Sequence, residues 1–368
     1  MRKGDFSRLQ ETLLCRNGTE RVPLMEFYIH PNIKEQFIRS RKFHLPPEIS
    51  GEKNVEREIG FWQEAGYDYV PIELSLRRHG QSIVGTPWAV ARENLFLDYT
   101  KKSGNRGWIE KVRGIISGTS SLEKFPWPAA EEIDYTPLER ADALVPESLG
   151  VIVQPGRMFQ GVWALMGFEA FCIALYTDSG LVEEMFRRCC SLQIDVIKRA
   201  LTHKSVKAVW VGDDIAFTGG LMIGKAFLQK LLFPWLWQIG RMCRDHDKIF
   251  LFHSDGDVTE ALEDIIELGI QALHPIEPKA MDIVAVKDAV AGRLCVIGNI
   301  DIDFPLTRGS PEDVRREVRN NIRSLASGGG YCVGSANSIP SYIPFKNYMA
   351  LREESLTAGR MPKTEEKI

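Results

Sequence analysis

Eight short apolar runs, each closing on polar residues, constrain this chain more than any other feature of it. The clearest lie in its second half. Residues 207–211 close on Gly212-Asp213-Asp214, and residues 248–252 on His253-Ser254-Asp255. Residues 270–273 close on His274-Pro275-Ile276-Glu277, residues 294–297 on Gly298-Asn299-Ile300-Asp301, and residues 330–334 on Ser335-Ala336-Asn337. Three earlier runs, 22–28, 69–74 and 149–154, follow the pattern less cleanly. Amphipathic stretches lie between them, such as 258–268 and 311–327, the latter with Val314, Val318, Ile322 and Leu325 at helical spacing. Ser310-Pro311-Glu312-Asp313 is a helix start, with a cap, proline at the first position and acids in the first turn. Continuous apolar strands alternating with helices imply a parallel sheet covered by helices. Eight such units predict an α/β fold of the (β/α)8 TIM-barrel type, with residues 1–368 as a single domain. An N-terminal extension precedes it, and a helical insertion of about residues 75–148 follows the second strand. The insertion carries two proline–aromatic clusters, Thr86-Pro87-Trp88 and Phe125-Pro126-Trp127-Pro128, expected as packing corners.

Of the 368 residues, 44% are hydrophobic and 26% charged, which allows a large core and excludes a disordered or fibrous chain. The net charge of −3 gives no pull toward nucleic acid or an anionic membrane. No run reaches the roughly 18 apolar residues of a membrane helix, and no apolar signal core follows the N-terminus. Seven scattered cysteines without a CxxC pair read as reduced thiols, which predicts a cytoplasmic protein.

In a barrel of this kind the strand C-termini share one mouth. That gathers Glu26, Tyr28, Glu73, Asp213, Asp214, His253, Asp255, His274, Glu277, Asn299, Asp301 and Asn337. So many carboxylates around one cavity need a cation, a shared proton or basic partners. The plainer alternative is that they cap helices or pair with Lys279, Lys287 and Arg293. His253 and Asp255 suit a divalent metal, acid–base work, or a structural hydrogen bond. Gly328-Gly329-Gly330 precedes a strand and reads as a helix-to-strand turn, not a phosphate cradle.

The runs His253-Ser254-Asp255-Gly256, Ala272-Leu273-His274-Pro275-Ile276-Glu277-Pro278 with Met281-Asp282, and Gly298-Asn299-Ile300-Asp301 resemble the uroporphyrinogen decarboxylase superfamily. So do Gly328-Gly329-Gly330-Tyr331, Pro344-x-x-Asn347-Tyr348-x-Ala350 and Gly359-Arg360-x-Pro362. The resemblance implies a (β/α)8 barrel and one of two activities: porphyrinogen decarboxylation, or methyl exchange with a corrinoid. The decarboxylases' marks are altered. Their Met-Arg becomes Met25-Glu26, their second arginine falls at His30, and their second-strand aspartate aligns with Glu73. Their Pro-Trp-x-x-x-x-Tyr becomes Val162-Trp163 with Phe168, a serine aligns with Asp214, and a late histidine with Asn337. Such a mouth repels a polyanion. The zinc-dependent methyltransferases carry His-x-Cys and a late Cys. His253 matches, Asp255 stands at the first Cys and Asn337 at the second, while Cys332 falls inside a strand.

The resemblance therefore implies a methyltransferase moving a methyl group between a small methylated substrate and a corrinoid on a partner protein. Its expected catalytic residues are His253, Asp255 and Asp214. Its expected substrate-binding residues are Glu26, Tyr28, Glu73, Trp163, Phe168, Asp213 and Asn337. Its expected metal ligands are His253, Asp255 and Glu277, for a divalent ion, zinc first. The alternatives are a decarboxylase of a porphyrinogen or another carboxylated substrate, and a non-catalytic tetrapyrrole- or corrinoid-binding protein.

Overall fold

The computed structural model describes residues 4–16, 21–41, 55–78, 81–83, 114–290 and 292–358. Seven of the apolar runs form strands: β1 (Tyr69–Glu73), β2 (Gly150–Gln154), β3 (Val206–Gly212), β4 (Ile249–His253), β5 (Ala272–His274), β6 (Cys295–Ile300) and β7 (Tyr331–Ser335). They pair in parallel in chain order as one seven-stranded sheet. Every residue of β4, β5, β6 and β7 is buried, as strands covered on both faces must be.

The expected eighth strand, residues 22–28, does not form as one. It makes only an isolated parallel bridge, Leu24 with Val333 of β7, carried by Met25 N–H to Val333 O (2.8 Å) and Val333 N–H to Pro23 O (2.9 Å). On its other side the Tyr69 hydroxyl of β1 receives the Glu26 N–H (2.8 Å) and donates to the Glu26 carbonyl (2.6 Å). A phenol thus takes the backbone groups that a ladder to β1 would use. Since one short segment touches both β1 and β7, the sheet is curled until its two edge strands nearly meet.

The helix Phe6–Leu13 lies at the strands' N-terminal ends: Phe6 N–H bonds Ser148 O (2.8 Å) just ahead of β2, and Cys15 Sγ abuts Gly330 just ahead of β7. Ser310 caps the helix Pro311–Leu325 in a reciprocal capping box with Asp313, as its sequence predicts. Gly328, Gly329 and Gly330 all take positive φ and turn that helix into β7. All seven cysteines are free thiols.

The insertion is only partly helical. Its described part holds the helices Thr119–Lys124 and Thr136–Leu144 and a three-stranded antiparallel sheet of Gln81–Ile83, Ser75–Arg78 and Ile133–Asp134. Phe125 and Trp127 pack edge-to-face at 4.8 Å, a packing corner as expected. Thr86-Pro87-Trp88 and Gly359-Arg360-x-Pro362 lie outside the described residues. Among the described residues no single helix is long and apolar enough to cross a membrane. The apolar pair Phe159–Met166 and Phe168–Thr177 is bent by 97°.

Gly334 lets residues 22–28 approach β7, because a Cβ there would stand 2.4 Å from the Met25 carbonyl oxygen. Backbone cannot step aside as a flexible side chain does. Gly334→Ala is expected to destabilise the protein by about 2–3 kcal/mol, read as a lower urea midpoint.

Candidate active site

The strand C-termini bring acidic side chains together, and adjacent residues take different roles. Asp213, the first residue after β3, is fully buried. Its Oδ2 accepts the backbone N–H groups of Met158 (2.9 Å) and Phe159 (2.6 Å), and its Oδ1 that of Gln160 (2.8 Å). Asp213 thereby satisfies the amides that begin the helix Phe159–Met166. Burial raises its carboxyl to about 6, against the opposing pull of these three amides. Expected at the substrate, it is spent on the scaffold.

Asp214 turns into the mouth. Its Oδ1 accepts from the Asp255 N–H (3.0 Å) and its Oδ2 from Gln160 Nε2 (2.8 Å). His253, the last residue of β4, sets its Nε2 3.5 Å from both Asp214 Oδ1 and Asp255 Oδ1. Asp255 Oδ2 accepts from Asn337 Nδ2 (2.6 Å), whereas its Oδ1 is buried with no hydrogen-bond donor. Ligand atoms of Asp214, His253 and Asp255 all lie within 4.8 Å of one another. Among the described residues the group that completes the set is Asp214, not the expected Glu277. Glu277 sits one step out, where its Oε2 accepts from the Gly256 N–H (3.1 Å).

Burial pushes the Asp255 carboxyl far above the usual range, and the neighbouring Asp214 and Glu277 charges push the same way. Burial lowers His253 to about 4, Asp214 opposing and Arg157 reinforcing the shift. A neutral imidazole facing two carboxylate oxygens, one of them lacking any donor, is a set of groups that a divalent cation satisfies. The donors are nitrogen and oxygen. Cys332 is fully buried in β7, beside Cys295.

The cations that might have neutralised the acids are engaged elsewhere: Lys279 with Asp303, Arg293 with Glu263, and Lys287 with the Gly329 carbonyl. Among the described residues a cation that acts on the cluster is Arg157, in the loop after β2, whose charge reaches Asp213, His253 and Asp255. Nothing in its sequence neighbourhood marks it.

The other expected residues spread around this centre. Glu26 is fully buried behind it, with Oε1 accepting the Ser335 N–H (2.9 Å) and Oε2 engaged with Ser335 Oγ (2.5 Å). Tyr28 is exposed, and Glu73 and Glu58 act on its hydroxyl. Trp163 and Phe168 pack edge-to-face at 5.6 Å. His30 accepts the Asn32 N–H at the start of the helix Pro31–Arg41. Phe27, unnoticed in the sequence, stacks on His253 at 4.6 Å and meets Trp210 edge-on at 5.1 Å. It fits because residue 212 is glycine, where a Cβ would stand 2.6 Å from its ring.

Residues 145–355 match the family described as "Uroporphyrinogen decarboxylase (URO-D)". The chain belongs to the uroporphyrinogen decarboxylase family. The matched span holds Asp214, His253, Asp255, Glu277 and Asn337 but not Glu26, Tyr28 or Glu73. Among solved structures the chain is similar to a methyltransferase from Methanosarcina mazei, at 15% identity and TM-score 0.63, covering 95% of this chain and 97% of that one. At that identity the likeness speaks for the fold. No curated protein matches the sequence.

Asp213→Ala strands three amides at a buried helix start and is expected to cost about 3 kcal/mol, measured by urea unfolding. Glu26 gives a pH signature. Burial raises it from 4.5 to about 8, so the folded state binds its proton more tightly than the unfolded state. Stability is then fullest below 4.5 and lost as pH rises toward 8. Glu26→Gln should remove that share of the slope, read from melts across the same pH window.

Proposed function

We propose that this uroporphyrinogen decarboxylase-family chain is a methyltransferase that moves a methyl group between a small methylated compound and a corrinoid carried by a partner protein. The observation that carries this reading is the Asp214–His253–Asp255 cluster. It offers a cation site where a polyacid substrate would need positive charge. The structural likeness to a methyltransferase supports it. A methylamine-like cation or an aryl methyl ether suits an acidic mouth with apolar walls. The free thiols suit a cytoplasmic setting.

His253, Asp214 and Asp255 would hold a divalent ion, zinc first, which when bound polarises the heteroatom bearing the methyl group. The chain's own residues do the rest. Asn337 and Gln160 each donate to one carboxylate and hold its rotamer. Phe27 covers the His253 ring and keeps water from it. Trp163 and Phe168 wall the substrate, while Tyr28 and Glu73 orient its outer end. Glu26 and Asp213 act from behind, on Ser335 and on the Phe159–Met166 helix.

A decarboxylase is the second reading, and the observation that favours it is the charge of Arg157, which reaches His253 and Asp255. Release of labelled carbon dioxide from a candidate acid without added metal would support that reading. A binding protein without turnover predicts tight corrinoid association and only modest effects of His253→Ala.

The test is to measure bound metal by elemental analysis, then incubate the protein with methylated aromatics and amines and a reduced corrinoid protein, reading the corrinoid spectrum. The expected outcome is stoichiometric metal, lost in Asp214→Asn and Asp255→Asn, and conversion to the methylated corrinoid. A folded, metal-free protein that stays silent over a broad panel counts against the reading.

A further inference from the structure

Behind the cation-ready face of His253 lies a second histidine that the proposed chemistry does not use. His274, the last residue of β5, is fully buried, and its Nδ1 stands 2.7 Å from His253 Nδ1. Phe27 lies parallel to both rings, 4.6 Å from His253 and 6.3 Å from His274, and Trp210 meets His274 edge-on at 5.4 Å. Neither ring can turn away.

Two Nδ1 atoms at this separation share a single proton, one donating and the other accepting. Burial disfavours the charged form of both rings. The choice of donor matters. If His274 donates, His253 carries its proton on Nε2 and offers an N–H to Asp214 and Asp255, which then need no cation. If His253 donates, its Nε2 faces the two carboxylates with a lone pair.

A cation held between Asp214 and Asp255 needs the second arrangement, because only an Nε2 lone pair can bind it. His274 Nδ1, 2.7 Å from His253 Nδ1, is then the acceptor.

We propose that His274 is a positioning residue that holds His253 with its proton on Nδ1 and its Nε2 lone pair aimed at the space between Asp214 and Asp255. The proposal rests on the reading of those three residues as a cation site. Partners of this kind orient metal-binding imidazoles generally, and their loss weakens affinity by roughly 10–100-fold.

The experiment is cobalt(II) titration of the full chain, followed by visible absorption, with His274→Leu and His274→Asn alongside wild type. Asparagine keeps an acceptor near the Nδ1 position and leucine does not. The leucine variant should bind about 10–100-fold more weakly, and the asparagine variant should recover most of the loss. Long-range proton–nitrogen NMR of histidine-labelled, zinc-loaded protein should read His253 as protonated on Nδ1. Leucine binding as tight as wild type, equal losses in both variants, or His253 protonated on Nε2 would each overturn the proposal. Should wild type take up no cobalt, the cation reading fails and the role of His274 falls with it, whereas tight wild-type binding with unchanged variants overturns the role of His274 alone.

Discussion

A carboxylate taken out of water must be given N–H donors, a proton or a cation, and the architecture of this mouth follows from that requirement. Asp213 meets it with three backbone amides. That solution fixes the start of the Phe159–Met166 helix and brings Gln160 Nε2 to Asp214. Asp214, one residue on, shares its environment with His253 and Asp255 instead. Two neighbouring aspartates at one strand end thus divide scaffold from chemistry. The first makes the placement of the second reproducible.

Most of the architecture can be read from the residues, because parallel strands buried on both faces have to be continuous apolar runs. Seven of eight were found this way, and the Ser310 cap and the glycine turn before β7 were equally plain. Residues 22–28 read as a strand for the same reason, since burial leaves the same mark whether backbone groups pair with a neighbouring strand or with the Tyr69 hydroxyl. The helical expectation for the insertion missed its antiparallel sheet, whose strands are only two to four residues long.

The site was legible where a side chain follows directly on a strand. Asp214, His253, Asp255 and Asn337 meet as their positions predict. Glu26 lies in an apolar run and Asp213 follows a strand, but position cannot tell an exposed carboxylate from one that a serine or a helix start has absorbed. Arg157, Gln160 and Phe27 were missed because they reach the centre from loops and from the start of a helix rather than from a strand end. Lys279, Lys287 and Arg293 are all engaged elsewhere, while the charge of Arg157 reaches the cluster.

Glu26 and Ser335 meet across 309 positions of sequence, and Leu24 with Val333 spans as many. Closing so long a loop carries a large entropic cost that is repaid only once both ends are present. During synthesis the N-terminal segment therefore waits, without its partner, until β7 has left the ribosome. His253 and His274 can be made and their strands paired well before that, yet the wall behind them is finished last. Completion of the mouth is tied to completion of the polypeptide, so a truncated product lacking its final strand would hold the reactive groups without the frame that orients them.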